Sequence, residues 1–599
     1  MSRALRLVED LVAAAALAAM VVLPLLEIAA RRVLGVGVPA SGPIVQHLVL
    51  WVAFLGAAIA ARDDKLLALA TSTFIPEGRC RRAASIVSGA AASCIAGLLA
   101  WGAVQLVLTE RETGSIIGAH IPVWTTQLVL PVGFALVALR LVGHASATWA
   151  GRLLASLGLL AAIAIICSPA WLEGQPAWPW LAIVVLAGAL GAPIFSILGG
   201  AAVILFMIDG VTPAVVLIET YALSVSPTLP AIPLFTLAGF LLAEGQAPVR
   251  LLRVFRAWFG WIPGGTAVVC ALLCTFFTVF TGGSGVTILA LGGLLFPALV
   301  SDGYRERFSI GLLTASGSLG LLLPPALPLI LYGIVAQLPI EDLFIAGLLP
   351  GVLLTSLVAA WGVREGIVTG AGRAPFRTGE GLVALRAAAW ELAMPAIVLA
   401  ALFSGLATTV EAAALAALYA LVVQSLIHTD LSIRRDLLRV FAECIAVVGG
   451  VLMILGVAVG LTNYLVSAQV PMRLLEWTRG HIDSQFTFLL GLNLFLLVVG
   501  CLMDIFSAIV VVVPLIVPLG AAFGVHPAHL GIIFIANLEL GYLTPPVGLN
   551  LFLASYRFKR PLLEVARATL PMLAILGIGV LLITYVPWLT LGILQWIGR

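Results

Sequence analysis

Two stretches of this chain combine hydroxyl side chains, glycines and prolines in a way that could hold a dehydrated cation. The first runs Thr281-Gly282-Gly283-Ser284-Gly285, with Thr287 just beyond it, and continues through Ser316, Ser318 and Gly320-Leu321-Leu322-Leu323-Pro324-Pro325. The second spans Cys501 to Asp504 and resumes at Gly541-Tyr542-Leu543-Thr544-Pro545-Pro546. Gly and Pro interrupt helices. The carbonyls an interruption frees, together with the hydroxyls of Thr281, Ser284, Thr287, Ser316, Ser318 and Thr544, form an oxygen set that suits sodium. Amides freed at the helix N-termini beside the same breaks favour an anion. This chemistry needs few charged side chains, and few are present.

The cation-side candidates are Thr281, Gly282, Ser284, Thr287, Ser316, Ser318, Gly320, Asp504, Gly541 and Thr544; the substrate-side candidates are Gly283, Pro324, Pro325, Asn537, Glu539, Pro545 and Pro546. Asp504, Glu539, Glu411 and Glu219 draw attention because an ionisable group within an apolar span is costly and marks a functional position by default. Each has a plainer reading beside this one. A carboxylate can be satisfied by a nearby amide, and a hydroxyl can bond back to its own helix.

The elements that must position these residues are apolar helices. Of 599 residues, 62% are hydrophobic and 10% charged, where a soluble domain carries about 25% charged residues. Charge-free stretches such as 83–109, 113–139, 153–172 and 174–208 exceed or approach the roughly 20 apolar residues that cross a hydrocarbon core. The fold class is therefore an all-α integral membrane protein whose lipid partner is the bilayer. Residues 1–150 read as four helices, about 8–30, 43–61, 83–108 and 122–143. Arg3 and Arg6, then Arg79, Arg81 and Arg82, then Arg140 and Arg152, fall on one side, which makes it cytoplasmic, with Arg31-Arg32 as the exception. The apolar run from Leu11 to Leu26 continues past Glu27 and reads as a retained first helix rather than a signal peptide. A connecting helix over 151–173, ending in a Trp- and Pro-rich stretch, leads into a larger module, 174–599.

That larger module contains an internal repeat. Gly320–Pro325 recurs as Gly541–Pro546 at an offset of 221 (541 − 320), and at the same offset Pro297 meets Pro518, Gly303 meets Gly524 and Ala315 meets Ala536. A second echo, Leu251-Leu252-Arg253-Val254-Phe255 against Leu437-Leu438-Arg439-Val440-Phe441, has an offset of 186 (437 − 251) and a basic amphipathic pattern that predicts a surface helix in each copy. The copies lie near 250–333 and 436–555. Lipid offers no partner to a broken backbone, so paired breaks persist only where protein or an aqueous cavity surrounds them, and they point to a transporter site carried on two re-entrant hairpins in inverted repeats. If the repeats are inverted, the two basic segments should face opposite sides, yet Arg434, Arg435 and Arg439 all prefer the cytoplasm.

Other chemistries fit less well. The seven cysteines form no metal or disulfide framework, and Cys270 and Cys274, one turn apart, read as packing. His526-Pro527-Ala528-His529 has metal-like spacing but sits at a loop without a carboxylate or cysteine partner. Gly282-Gly283-Ser284-Gly285 matches an intramembrane serine-protease pattern, but His428, His481, His526 and His529 read as loop residues, leaving no histidine base in a span. No nucleotide-binding glycine loop is present, which excludes a built-in ATPase, and the charge of +3 carries no nucleic-acid message.

With these residues in view, the chain resembles a fused small and large membrane subunit of a tripartite ATP-independent periplasmic (TRAP) transporter. The resemblance is carried by Ile232-Pro233-Leu234-Phe235-Thr236-Leu237-Ala238-Gly239, by Thr281 to Gly333 with its double proline, by Thr409-Val410-Glu411-Ala412-Ala413, and by Gly500 to Ser555 with Asp504, Pro514, Pro518, Gly524, Pro527, Gly531 and Thr544-Pro545-Pro546-Val547-Gly548. Phe54-Leu55-Gly56-Ala57-Ala58 and Ile121 to Arg140 resemble the small subunit more loosely. The resemblance implies an elevator-type transporter with amphipathic arm helices. It also implies no enzymatic activity and no cofactor other than sodium as coupling ion. A periplasmic substrate-binding protein would deliver a small organic anion, and the working unit would be a monomeric fused chain in the bacterial inner membrane. The alternative is a self-sufficient anion carrier of the same fold. Two departures stand out. The family's first hairpin usually reads Ser-Gly-Ser-Ser followed shortly by Asp, whereas Thr287 follows here, so this site lacks that carboxylate. Glu539 stands where the family more often has an apolar residue.

Overall fold

The computed structural model describes residues 3–68, 75–76, 78–118, 121–372, 378–545 and 548–598. Among them, 12 helices are long and apolar enough to cross a membrane, or up to 15 if three sharply bent helix pairs each count as one span. The chain forms two compact units, residues 1–234 with 434–472, and residues 235–433 with 473–599.

The first unit opens with α1 (Arg3–Val33), α2 (Ser41–Arg62) and α3 (Arg79–Thr113). A two-stranded hairpin of Ile116–Ile117 and Ile121–Pro122 follows. The fourth expected span is interrupted at Leu128, giving α4 (Val123–Gln127) and α5 (Val129–His144). The expected connecting helix is α6 (Trp149–Cys167), and α7 (Ala177–Ala189), α8 (Ile194–Ile208) and α9 (Ala214–Ser224) complete the run. Lipid gives apolar helices no hydrophobic reason to associate, so close backbone approach at small residues holds them together. A Cβ on Gly56 would sit 2.3 Å from the Ile445 carbonyl oxygen, and one on Gly158 would sit 2.0 Å from that of Ala90. Glu9 bridges Arg62 and Arg140 at 3.2 and 2.8 Å, tying α1 to α2 and α5.

The second unit takes in most of α10 (Ala231–Glu244), followed by α11 (Ala247–Phe259), α12 (Gly265–Thr281), α13 (Ser284–Ser301), α14 (Glu306–Ser316), a 3-10 turn at Leu319–Leu322, α15 (Leu327–Ala336) and α16 (Ile340–Thr369). Next come α17 (Thr378–Ala387), α18 (Ala389–Phe403) and α19 (Thr409–Val422). The chain then contributes α20 (Leu437–Ser467) to the first unit, where it packs on α2, α8 and α9. After α21 (Val470–His481), it finishes the second unit with α22 (Gln485–Leu502), α23 (Ile505–Ala522), α24 (Pro527–Gly541), α25 (Leu549–Phe558), α26 (Leu562–Tyr585) and α27 (Trp588–Ile597).

The repeat seen in the sequence is a repeat of helices. α13 and α23 are both 18 residues long, and both their ends are offset by 221 (505 − 284 and 522 − 301). The starts of α14 and α24 share that offset (527 − 306). Packing is reciprocal, α13 on α25 and α15 on α23. The second surface helix requires a correction. Leu437–Phe441 forms the first turns of the 31-residue α20 rather than a surface helix. The counterpart of α11 is α21, where Pro471-Met472-Arg473-Leu474-Leu475 echoes Pro248-Val249-Arg250-Leu251-Leu252 at an offset of 223 (471 − 248). The two extra residues hid this match from an ungapped register. Arg434 and Arg435 precede α20 and Arg439 lies in its first turn, so none of the three belongs to the counterpart of α11.

α11 leaves α10 at a bend of 74°, and a charged cluster holds that bend. Arg250 Nε donates to Glu391 Oε1 at 2.7 Å, and its Nη2 donates to Asp430 Oδ2 at 2.7 Å and Gln424 Oε1 at 3.1 Å; the Gln246 amide also donates to Asp430 Oδ2. Burial raises the Asp430 carboxyl, but the Arg250 bonds outweigh it and hold it below the usual aspartate range. Glu391 is fully buried, so Arg250→Ala strands its charge, and breaking a buried pair in this way costs about 3–5 kcal/mol. Thermal unfolding of the purified full chain should show that loss. Because the folded-state pKa of Asp430 is depressed, its share of the stabilisation is present above the ordinary aspartate range and fades as pH falls through the folded value. The gap between wild type and variant should therefore narrow in acid.

Candidate functional site

The first break is built by glycines. α12 ends at Thr281, where Gly282 adopts a left-handed φ of 65° and donates to the Thr278 carbonyl at 2.9 Å. That conformation costs a side chain-bearing residue about 1–2 kcal/mol. Gly283 then caps α13 in extended conformation. On the return, α14 stops at Ser316, the 3-10 turn intervenes, and the Glu306–Leu322 and Leu327–Ala336 segments meet at 46°. A Cβ on Gly320 would lie 2.4 Å from the Thr275 carbonyl oxygen, so only glycine lets this turn rest on α12.

These constraints gather oxygens. Thr278 Oγ1 lies 2.8 Å from Thr287 Oγ1, 2.9 Å from the Gly317 carbonyl oxygen and 2.8 Å from that of Cys274. Thr281 Oγ1 stands 3.3 Å from Thr287 Oγ1 and 3.5 Å from the Gly283 carbonyl oxygen. Thr278 has one proton for two carbonyl acceptors, while Thr287 can itself donate to Thr278; the surplus of oxygen lone pairs suits a cation. Thr281 and Thr287 are thus brought together as expected, and Thr278 is a member the sequence reading omitted. Its signal was there, since it lies one helical turn before Thr281 on the same face of α12. Ser284 opens α13 with its carbonyl facing Gly317. Ser318 takes the plainer role, donating to the Ala315 carbonyl at 3.3 Å. The Ser316 hydroxyl is fully buried with no hydrogen-bond partner among the described residues. Pro324 and Pro325 are buried and joined by a cis peptide.

The second break is built differently. Asp504 stands at the position equivalent to Gly283 and caps α23: Ser507 donates to it from its hydroxyl at 2.5 Å and from its amide at 3.1 Å. The Ile505 amide donates to Tyr542 Oη at 2.5 Å, the Cys501 thiol to the Thr544 carbonyl at 3.1 Å, and the Gly548 amide to the Cys501 carbonyl at 3.0 Å. Gly500 and Gly541 meet backbone to backbone, a Cβ on Gly541 falling 2.6 Å from Gly500. Thr544 Oγ1 bonds back to the Leu540 carbonyl at 3.0 Å. Pro545 is exposed, and Pro546 lies outside the described residues.

The remaining candidates separate into distinct environments. Asn537 Nδ2 donates to Asn493 Oδ1 at 2.6 Å and to the Ile533 carbonyl at 2.8 Å, which places it in a polar seam between α24 and α22. Glu539 is 1% exposed, and neither carboxylate oxygen has a hydrogen-bond partner among the described residues. Glu411 forms a capping box with Thr408 at the start of α19, and Glu219 accepts from Asn463 at 2.6 Å in the first unit. Both are satisfied structurally. His529, read from sequence as a loop residue, is buried in the first turn of α24, its ring nitrogens 2.8 Å from Thr590 Oγ1 and 3.2 Å from the Thr584 carbonyl oxygen.

Paired helix breaks lined with oxygens, in repeated helices of membrane-spanning character, define a secondary-transporter permease. The sequence matches two family models. The DctM component of the tripartite ATP-independent periplasmic transporters covers residues 181–589, and the DctQ component covers residues 20–151. The chain belongs to that transporter family and carries both membrane components in one polypeptide. It is 29% identical over 558 residues, 91% of this chain and 87% of the relative, to the isethionate TRAP transporter permease protein DctMQ of Oleidesulfovibrio alaskensis. It is 33% identical over 404 residues, 67% of this chain and 93% of the relative, to the C4-dicarboxylate large permease DctM of Pseudomonas aeruginosa. It is 32% identical over 408 residues, 67% of this chain and 95% of the relative, to the ectoine large permease TeaC of Halomonas elongata. The YdaH transporter of Alcanivorax borkumensis superposes with a TM-score of 0.44 at 17% identity, covering 63% of this chain and 88% of that one, too loosely to transfer any feature. The protein is a multi-pass inner-membrane permease, not an enzyme, and it works with a periplasmic binding protein in substrate uptake.

Gly320 gives the most direct test of this geometry. Gly320→Ala forces backbone to separate from backbone, at about 1–3 kcal/mol for overpacking. The full-length variant should melt at lower temperature than wild type and lose uptake, whereas Gly450→Ala, where a Cβ meets open space, should do neither.

Proposed function

We propose that this permease takes up a small organic anion, a carboxylate or sugar acid delivered by its binding protein, in symport with sodium. The observation that carries the reading is the oxygen cluster of Thr278, Thr281 and Thr287 with the Gly317 and Gly283 carbonyls, five oxygens at a helix break without a charged side chain. A monovalent cation with its water removed is matched by neutral oxygens. A site for a divalent ion would draw on carboxylates. Where the family resemblance leads to a carboxylate this chain has Thr287, and Thr278 Oγ1, 2.8 Å away, would join it around the ion. Asp504 belongs to the second break, where its oxygens stand beside Ser507.

The substrate class rests on the helix start at the first break. α13 begins there without a side-chain cap, and its first amides present partial positive charge, whereas at α23 the Ile505 and Ser507 amides are taken by Tyr542 and Asp504. The relatives named for C4-dicarboxylate and isethionate handle small organic acids, which is consistent with an anion, although the relative named for ectoine shows that the scaffold is not confined to one chemistry. Movement of the hairpin-bearing helices in an elevator-type cycle, with α11 and α21 as arms, would expose the site alternately to either side.

Uptake into proteoliposomes tests the reading, with a labelled panel of C4-dicarboxylates, sugar acids and isethionate. Each is measured with and without an inward sodium gradient and with and without the binding protein encoded beside the gene. The expected result is uptake that requires both. Uptake of a panel member without any binding protein would replace this mechanism with a self-sufficient carrier. Thr278→Val should raise the half-saturating sodium concentration by about tenfold, equivalent to roughly 1.4 kcal/mol. A sodium response unchanged in both Thr278→Val and Asp504→Asn would remove the two breaks from ion binding.

A further inference from the structure

One fully buried polar side chain near the breaks is only half satisfied, and it joins the two repeats. Asn550, in the first turn of α25, is 0% exposed. Its Nδ2 donates to the Thr314 carbonyl oxygen at 3.3 Å, across 236 residues of chain. A carbonyl can only accept, so the amide nitrogen must face Thr314 and Oδ1 must point away from it. That oxygen has no hydrogen-bond partner among the described residues. Leaving such an acceptor buried and empty is costly, because its bond to water is lost and nothing replaces it.

The position of Asn550 is fixed on both sides. The Gly548 amide ties the start of α25 to the Cys501 carbonyl at 3.0 Å, and Leu551 and Ala554 pack with Ile288, Ile310, Val565, Ala566 and Ala568 in one apolar cluster. Thr314 belongs to the last turn of α14, whose final residue, Ser316, carries another buried oxygen without a partner among the described residues. The next residue, Gly317, offers its carbonyl to Thr278. The broken end of α14 therefore meets Asn550 through Thr314 and the threonine cluster through Gly317, and it carries an unused oxygen of its own, Ser316 Oγ.

We propose that Asn550 is an oxygen ligand of the coupling cation, its Oδ1 closing from the second repeat a site that Ser316 and the threonine cluster open in the first. The assignment rests on the sodium-coupled reading above. A neutral amide oxygen suits a hard monovalent ion as the threonine hydroxyls do. Because Asn550 is bonded to α14, occupancy of the site would also hold the two broken hairpins together.

Sodium alone is the probe. The purified full-length chain is melted across a sodium chloride series, with choline chloride keeping ionic strength constant. Bound ion stabilises the fold by mass action, so the melting temperature of wild type rises saturably with sodium. Asn550→Ala should raise the half-saturating sodium concentration at least about tenfold, and Ser316→Ala should move it in the same direction. Asn550→Asp separates the two roles of the side chain. It keeps an oxygen but loses the N–H that Thr314 accepts, so its sodium response should stay near that of wild type. If Asn550→Asp falls as far as Asn550→Ala, the side chain serves only to cap α14 and the ligand assignment is overturned. An unchanged half-saturation in Asn550→Ala overturns it as well. Asn550→Leu repeats the test without opening a cavity should the alanine variant not fold. A wild type that does not respond to sodium sinks the coupling reading together with this one, whereas a responsive wild type with indifferent variants sinks this one alone.

Discussion

Everything in this molecule answers to one constraint, that a backbone amide or carbonyl freed inside a bilayer finds no partner in lipid. The chain breaks its helices twice in each repeat, and at each break the freed groups are met by protein. The Gly282 amide returns to Thr278, the Gly317 carbonyl takes the Thr278 hydroxyl, the Ile505 amide finds Tyr542, and the Gly548 amide finds Cys501. Among the buried oxygens near the breaks that have no partner among the described residues are those of Ser316, Asn550 and Glu539.

The same constraint explains why glycine does so much of the structural work. Breaks can be capped only if neighbouring backbones come close, and a Cβ would prevent this at Gly320 against Thr275, at Gly239 against the Phe280 carbonyl and at Gly541 against Gly500. In the first unit glycine has a related role without any break, letting α2 and α20 touch at Gly56 and Gly449.

The two halves of the repeat have diverged in how they satisfy their breaks. At equivalent positions the first has Gly283 and the second Asp504. Hydroxyls and carbonyls dominate one break, while the other is organised by a carboxylate, a serine and a buried tyrosine. Helix lengths and reciprocal packing are nevertheless preserved, because these depend on the apolar pattern and not on the residues at the breaks.

Much of this was legible in the chain itself. Charge-free runs of span length, the Gly-Pro register at an offset of 221 and the gathering of Thr281 and Thr287 at one break need only composition, spacing and the cost of an unpaired backbone. The partner of α11 was hidden because two inserted residues shift Pro471–Leu475 out of that register. Thr278 was passed over because a threonine inside an apolar helix looks like any other until a second strand of chain brings Gly317 to it. Ser318 and Thr544 bond back to the Ala315 and Leu540 carbonyls, a distinction that sequence leaves open because one hydroxyl can bond its own helix or face outward. The sequence by itself determined that the chain is built of apolar helices of span length, where the paired breaks fall and the residue types at those breaks, since these follow from local propensity and hydrophobicity. Only the tertiary structure decided which polar atoms remain without a partner, because that depends on contacts such as Asn550 to Thr314 between residues that periodicity does not relate.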